Sequence, residues 1–134
     1  MDDPLEPIIQ QASLGKISRP DAEVICAANG IEMTDLYNQI ALIVARRFHA
    51  RTLSYEDGDA AMNAVFRLMT DDALNGHPDP FVQPAWAIYL AFDEGEYDHG
   101  GSTDPVETFT RPQIRHVLDN AQQIVAESES ATQE

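Results

Sequence analysis

Apolar residues recur along this chain at intervals of three and four, and serine, glycine and proline interrupt them at well-defined points. Leu5, Ile8, Ile9 and Ala12 share one side of a short amphipathic segment over residues 5–14 that stops at Gly15. Ser18-Arg19-Pro20-Asp21 has the form of a helix start: a serine at the cap, proline in the first turn and an acid three residues on. Gly30 can adopt the left-handed conformation that ends this helix at Ala28 or Asn29. Thr34-Asp35 predicts the next start, followed by a buried stripe of Leu36, Ile40, Ile43, Val44 and Phe48. Arg46, Arg47, His49 and Arg51 crowd its last turns, where cations complement the helix dipole. Ser54-Tyr55-Glu56-Asp57 repeats the capping signature and leads into Ala61, Ala64, Val65, Leu68 and Met69.

Asn75-Gly76-His77-Pro78-Asp79-Pro80 is a connector. Beyond Pro84, the nearly continuous apolar run from Ala85 to Phe92 has no second strand to pair with, so it predicts a buried helix. Thr110-Arg111-Pro112-Gln113 predicts the cap of a last helix with the stripe Ile114, Val117, Leu118, Ala121, Ile124 and Val125. The longest helices are expected at 35–51, 55–74 and 111–126, with the helix around Trp86 sandwiched among them. The expected fold is all-α: a single-domain helical bundle of five or six helices over residues 1–134, with 1–4 and 127–134 frayed. Trp86, Tyr89 and Phe92, at i, i+3 and i+6, read as core.

Composition narrows the function. The 134 residues are enough to bury a core without a covalent staple, and the hydrophobic share of 43% is that of a globular chain. The formal net charge is −15, and only eight residues are Lys or Arg. Nucleic-acid binding relies on cations that neutralise phosphates, and adhesion to anionic lipid relies on the same charges, so neither is expected. The charge suits solubility, metal cations or a basic protein partner. A single cysteine, Cys26, rules out an internal disulfide and reads as a small buried apolar residue. The N-terminus carries no basic region or apolar block, and the apolar run from Ile40 to Ala45 is too short to cross a bilayer, so the expected location is cytoplasmic.

Candidate chemistry concentrates between Asp93 and Glu107, where six carboxylates, His99 and three glycines occur without a Lys or Arg. Counted from Glu96, the carboxylates of Asp98, Asp104 and Glu107 fall at positions 3, 9 and 12, with Gly101 at 6, in partial register with a calcium loop. The match breaks at position 1, which is Glu, and at position 5, which is Gly. It also needs position 12 inside a helix, whereas Thr110 reads as that helix's cap. A structural reading competes with it: Asp104-Pro105 and the Thr110 cap shape a connector whose carboxylates pair in part with Arg111 or Arg115. His49, His77, His99 and His116 make no i, i+3 or i, i+4 pair, and motifs for zinc hydrolysis, nucleophilic catalysis or phosphate cradling are absent.

Leu90-Ala91-Phe92-Asp93-Glu94-Gly95-Glu96-Tyr97, Asp104-Pro105-Val106-Glu107 and Thr110-Arg111-Pro112-Gln113-Ile114 resemble a pattern in small, acidic, uncharacterised bacterial proteins, and Leu53-Ser54-Tyr55-Glu56-Asp57-Gly58-Asp59 accompanies it. The resemblance implies a bacterial cytosolic helical protein and supplies no activity. The functional expectation is a non-enzymatic interaction protein, of an immunity or antagonist type. It would present Asp93, Glu94, Glu96, Asp98 and His99 to a basic partner, and a homodimer through the Trp86 region is compatible with the short helices. The alternative is a divalent-metal protein or weak metal-dependent hydrolase, holding calcium or another divalent cation on Glu96, Asp98, Asp104 and Glu107.

Overall fold

A computed structural model describes residues 5–96 and 104–120. These residues form α1 (Glu6–Ser13), α2 (Arg19–Asn29), α3 (Met33–His49), α4 (Tyr55–Leu74) and α5 (Ala85–Glu94). A sixth helix, α6, opens at Pro105, passes through a π-helical turn at Val106–Thr110 and continues over 111–120. No strand occurs among the described residues, so the fold is an all-α bundle. The ends expected to fray, and the expected continuation of the last helix to 126, lie outside the described residues.

The helix starts follow local chemistry. Asp21 N–H donates to Ser18 Oγ (3.4 Å), and Asp57 N–H donates to Ser54 Oγ (3.1 Å), as both serine signatures require. Gly30 takes φ 64° at the end of α2. The start of α3 is earlier than Thr34-Asp35 suggested: Glu32 is the cap, and its N–H donates to the Asp35 carboxylate at 3.2 Å. Asp35 acts as the third helical residue reaching back, not as the first-turn acid of a threonine cap. The end of α3 is closed by two backbone bonds, Thr52 N–H to Arg47 O (2.9 Å) and Arg51 N–H to Phe48 O (3.0 Å), with Arg51 at φ 63°.

The core lies between α3, α4 and α5, which pack on one another, while α1 packs on α4, α2 on α3 and the π turn on α5. Tyr37, Ile40, Val44 and Phe48 from α3 meet Met62, Val65 and Met69 from α4 and Ile88 and Phe92 from α5, all fully buried. Cys26 is buried with its thiol 3.6 Å from the Met33 sulfur, and burial pushes its pKa up. Phe92 belongs to this core, but Trp86 and Tyr89 are half-buried, so the expected aromatic core stripe divides. The residues Trp86, Tyr89, Asp93 and Glu96, at i, i+3, i+7 and i+10, instead form an outward edge of α5 and its end.

Candidate carboxylate site

Two glycines set how closely the elements around the site approach. A Cβ on Gly58 would come within 2.7 Å of the Phe92 ring, so the absence of a side chain there lets Phe92 press on the first turns of α4. Phe92 in turn packs against Phe48 (ring centroids 5.1 Å) and stacks on Tyr55 (5.8 Å), whose hydroxyl donates to Phe92 O at 2.7 Å. At the end of α5, a Cβ on Gly95 would meet the Thr110 hydroxyl at 2.5 Å and the Tyr55 ring at 3.0 Å. The start of α4 and the end of α5 are thereby held together.

This contact brings Asp59 of α4 against Asp93 and Glu96. Asp59 and Asp93 are half-buried and Glu96 is exposed. Glu96 hydrogen-bonds to both aspartates, and its carboxyl is pushed up to about 7, first by desolvation and then by those bonds and the neighbouring negative charges. Desolvation also raises Asp59, with the Asp93 charge adding to it and the Glu96 bond opposing it. Glu96 thus keeps its proton to higher pH than a free glutamate, between the carboxyl groups of Asp59 and Asp93. Asn63 donates to Asp59 at 3.4 Å, one turn further along α4.

The trio breaks a local rule. Asp93 and Glu94 close α5, at the negative pole of its dipole, and no basic residue lies in its last turn. The ion pairs of Arg19, Arg47, Arg51 and Arg111 go to Asp72, Glu6 and Glu107. None of these pairs reaches the trio.

The acids of the expected loop therefore divide. Asp93 and Glu94 are helical residues, Glu96 follows the end of α5, and Asp98 and His99 lie outside the described residues. Asp104 and Glu107 line a separate open cleft of about 530 Å3 with Arg51, Tyr55 and Arg111. Asp104 caps α6, its carboxylate accepting from Val106 N–H at 3.0 Å. Thr110 is not the cap expected from Thr110-Arg111-Pro112: it is fully buried within α6, and its hydroxyl donates to Ala91 O at 2.7 Å. Asp-Pro five residues earlier is the stronger start, with an accepting carboxylate followed by a proline that has no N–H to leave unpaired. Glu107 consequently sits in a helical turn, which removes one objection to position 12 of a calcium loop. It is nevertheless engaged by Arg111 (3.0 Å) and Arg51 (3.7 Å). Among the described residues, no group of three or more His, Cys, Asp or Glu is arranged to hold a metal ion.

Arg111 also donates to Phe48 O (3.1 Å) and lies 4.2 Å above the Phe48 ring, tying α6 to the end of α3. Arg115 lines a different open pocket of about 590 Å3 with Arg46, His49, Leu118 and Asp119. Asp59 is not among the candidate acids read from the sequence, where it figures only in the stretch Leu53–Asp59 that accompanies the resemblance. The available signal was the α4 edge Asp59, Asn63 and Phe66, polar or aromatic at i, i+4 and i+7.

Compared with known proteins, the chain matches no family model, no curated protein and no solved structure. No helix among the described residues is long and apolar enough to cross a membrane.

Proposed function

We propose that this protein is a non-enzymatic interaction protein whose acidic surface at Asp59, Asp93 and Glu96 receives a cationic side chain of a basic protein partner. The observation that carries the reading is geometric: the carboxylates of Asp59, Asp93 and Glu96 meet at the negative end of α5, where no basic residue lies in the last turn, and this company pushes the Glu96 carboxyl up to about 7. An arginine or lysine docked there would let Glu96 ionise and would offset the negative charge of its neighbours, so the repulsion in the free protein becomes a gain on binding. Asp98 and His99, next along the chain, extend the same charge pattern in sequence.

The test is a calorimetric titration of the intact protein with a polar arginine-rich peptide at low salt. Affinity should rise from pH 6 to pH 8 and fall at least about tenfold in the triple variant Asp59→Asn, Asp93→Asn, Glu96→Gln. Equal binding by wild type and variant would refute the reading. Binding of calcium or manganese, lost in the same variant, with no peptide binding would replace it by a metal function.

A further inference from the structure

The seam that carries the acid trio continues along α4 and α5 as a row of aromatic rings. Phe66 stacks on Tyr89 with centroids 4.4 Å apart and planes at 4°, Tyr89 stacks on Trp86 (5.5 Å), and Trp86 meets Phe81 edge-on (5.2 Å). Phe66, Trp86 and Tyr89 are half-buried, and Phe81 is 40% exposed. These rings are therefore a contiguous apolar surface, of the kind that marks a binding site more than a fold requirement. It runs into the acids without a break. On α4 the order is Asp59, Asn63, Phe66; on α5 the antiparallel order is Glu96, Asp93, Tyr89, Trp86. Tyr89 lies in the field of Asp93, Glu96 and Asp59, which together with the larger effect of desolvation push its phenol up.

We propose that this seam is one two-part docking strip for a basic amphipathic segment of a partner protein. Apolar anchors of that segment lie on Phe66, Phe81, Trp86 and Tyr89, and an arginine or lysine one to two turns along reaches the trio. From Asp59 to Phe66 the strip rises about 10 Å, at 1.5 Å per helical residue, which matches an i, i+3 or i+4, i+7 spacing on a docked helix. The occupant is basic because both halves favour it: the trio by charge, the ring faces by cation–π attraction to arginine. A second copy of this chain is a poorer occupant, since each copy carries a formal charge of −15. The inference rests on the acidic docking proposed above and adds the apolar half.

Two synthetic peptides of equal length and equal arginine content test it, one with Leu and Ile along one helical face and one with those positions changed to Gln. Trp86 is the single tryptophan, so its emission reports directly on the strip. The amphipathic peptide should bind about tenfold more tightly than the polar one and shift the Trp86 emission to the blue. Phe81→Ser, with unchanged helical circular dichroism, should remove most of that advantage and weaken the polar peptide far less than the amphipathic one. Equal binding of the two peptides with unshifted emission would overturn the strip while leaving the acidic docking intact. Binding of both peptides that ignores Asp59→Asn, Asp93→Asn, Glu96→Gln would overturn the acidic docking itself. A dimer seen by sedimentation that Phe81→Ser dissolves would overturn the basic partner in favour of a second copy.

Discussion

Glu96 concentrates the functional argument in one side chain, and it makes a signed prediction about stability. Its carboxyl ionises near pH 4.5 when unconstrained and about 7 in the folded protein. Between those values the folded state holds the proton that the unfolded state has lost, so stability falls as pH rises through this window and levels off above it. Glu96→Gln should remove that component, leaving a shallower decline of melting temperature from pH 5 to pH 8 and a variant relatively more stable at pH 8. A fall in melting temperature as steep as the wild type's would show that Glu96 does not hold this proton. At this scale the sequence singled out some of these acids but not their company. Asp93 and Glu96 were visible as unusual; Asp59 was not, because its role depends on a helix 34 positions away in the chain being held against it.

The elements that impose this company are α4, α5 and the π turn of α6. Gly58→Ala would drive a methyl into the Phe92 ring, and overpacking of this kind costs about 1–3 kcal/mol. A urea melt should register that loss, and the Glu96 pKa should fall in the same variant as α4 and α5 separate. Thr110→Val would remove the hydroxyl that satisfies Ala91 O in a fully buried position, a loss of about 1–3 kcal/mol, whereas Thr110→Ser should retain most of the stability. Equal melts for the valine and serine variants would mean that this bond does not hold α6 to α5. Helix existence was legible throughout, since caps and stripes are local: Ser18, Gly30 and Ser54 act as the chain suggested. Thr110 misled because a threonine before Arg-Pro carries the same letters whether it caps a helix or lies inside one. Only the packing of α6 on α5 decides between them.

On the scale of the whole molecule, the charge of −15 is not spread evenly in its consequences. Arginines neutralise acids at Glu6, Asp72 and Glu107, where Arg47, Arg19 and Arg51 tie helix α1, α2 or α6 to the bundle. The Asp59–Asp93–Glu96 corner is left with carboxylates acting on one another, beside a half-buried aromatic row. A structural ion network and the proposed recognition surface are thus separated on the same small bundle. The all-α architecture could be read from periodicity alone, but this separation could not, because the acidic run from Asp93 to Glu107 contributes to both sides of it. The most direct test of the central claim is proton release on binding. Titrating the protein at pH 7 with a polar arginine-rich peptide, in two buffers of different ionisation enthalpy, counts the protons expelled. With Glu96 titrating at about 7, about half a proton should leave per peptide bound, and none in Glu96→Gln. Binding with no proton release in the wild type, or the same release in the variant, would contradict the account.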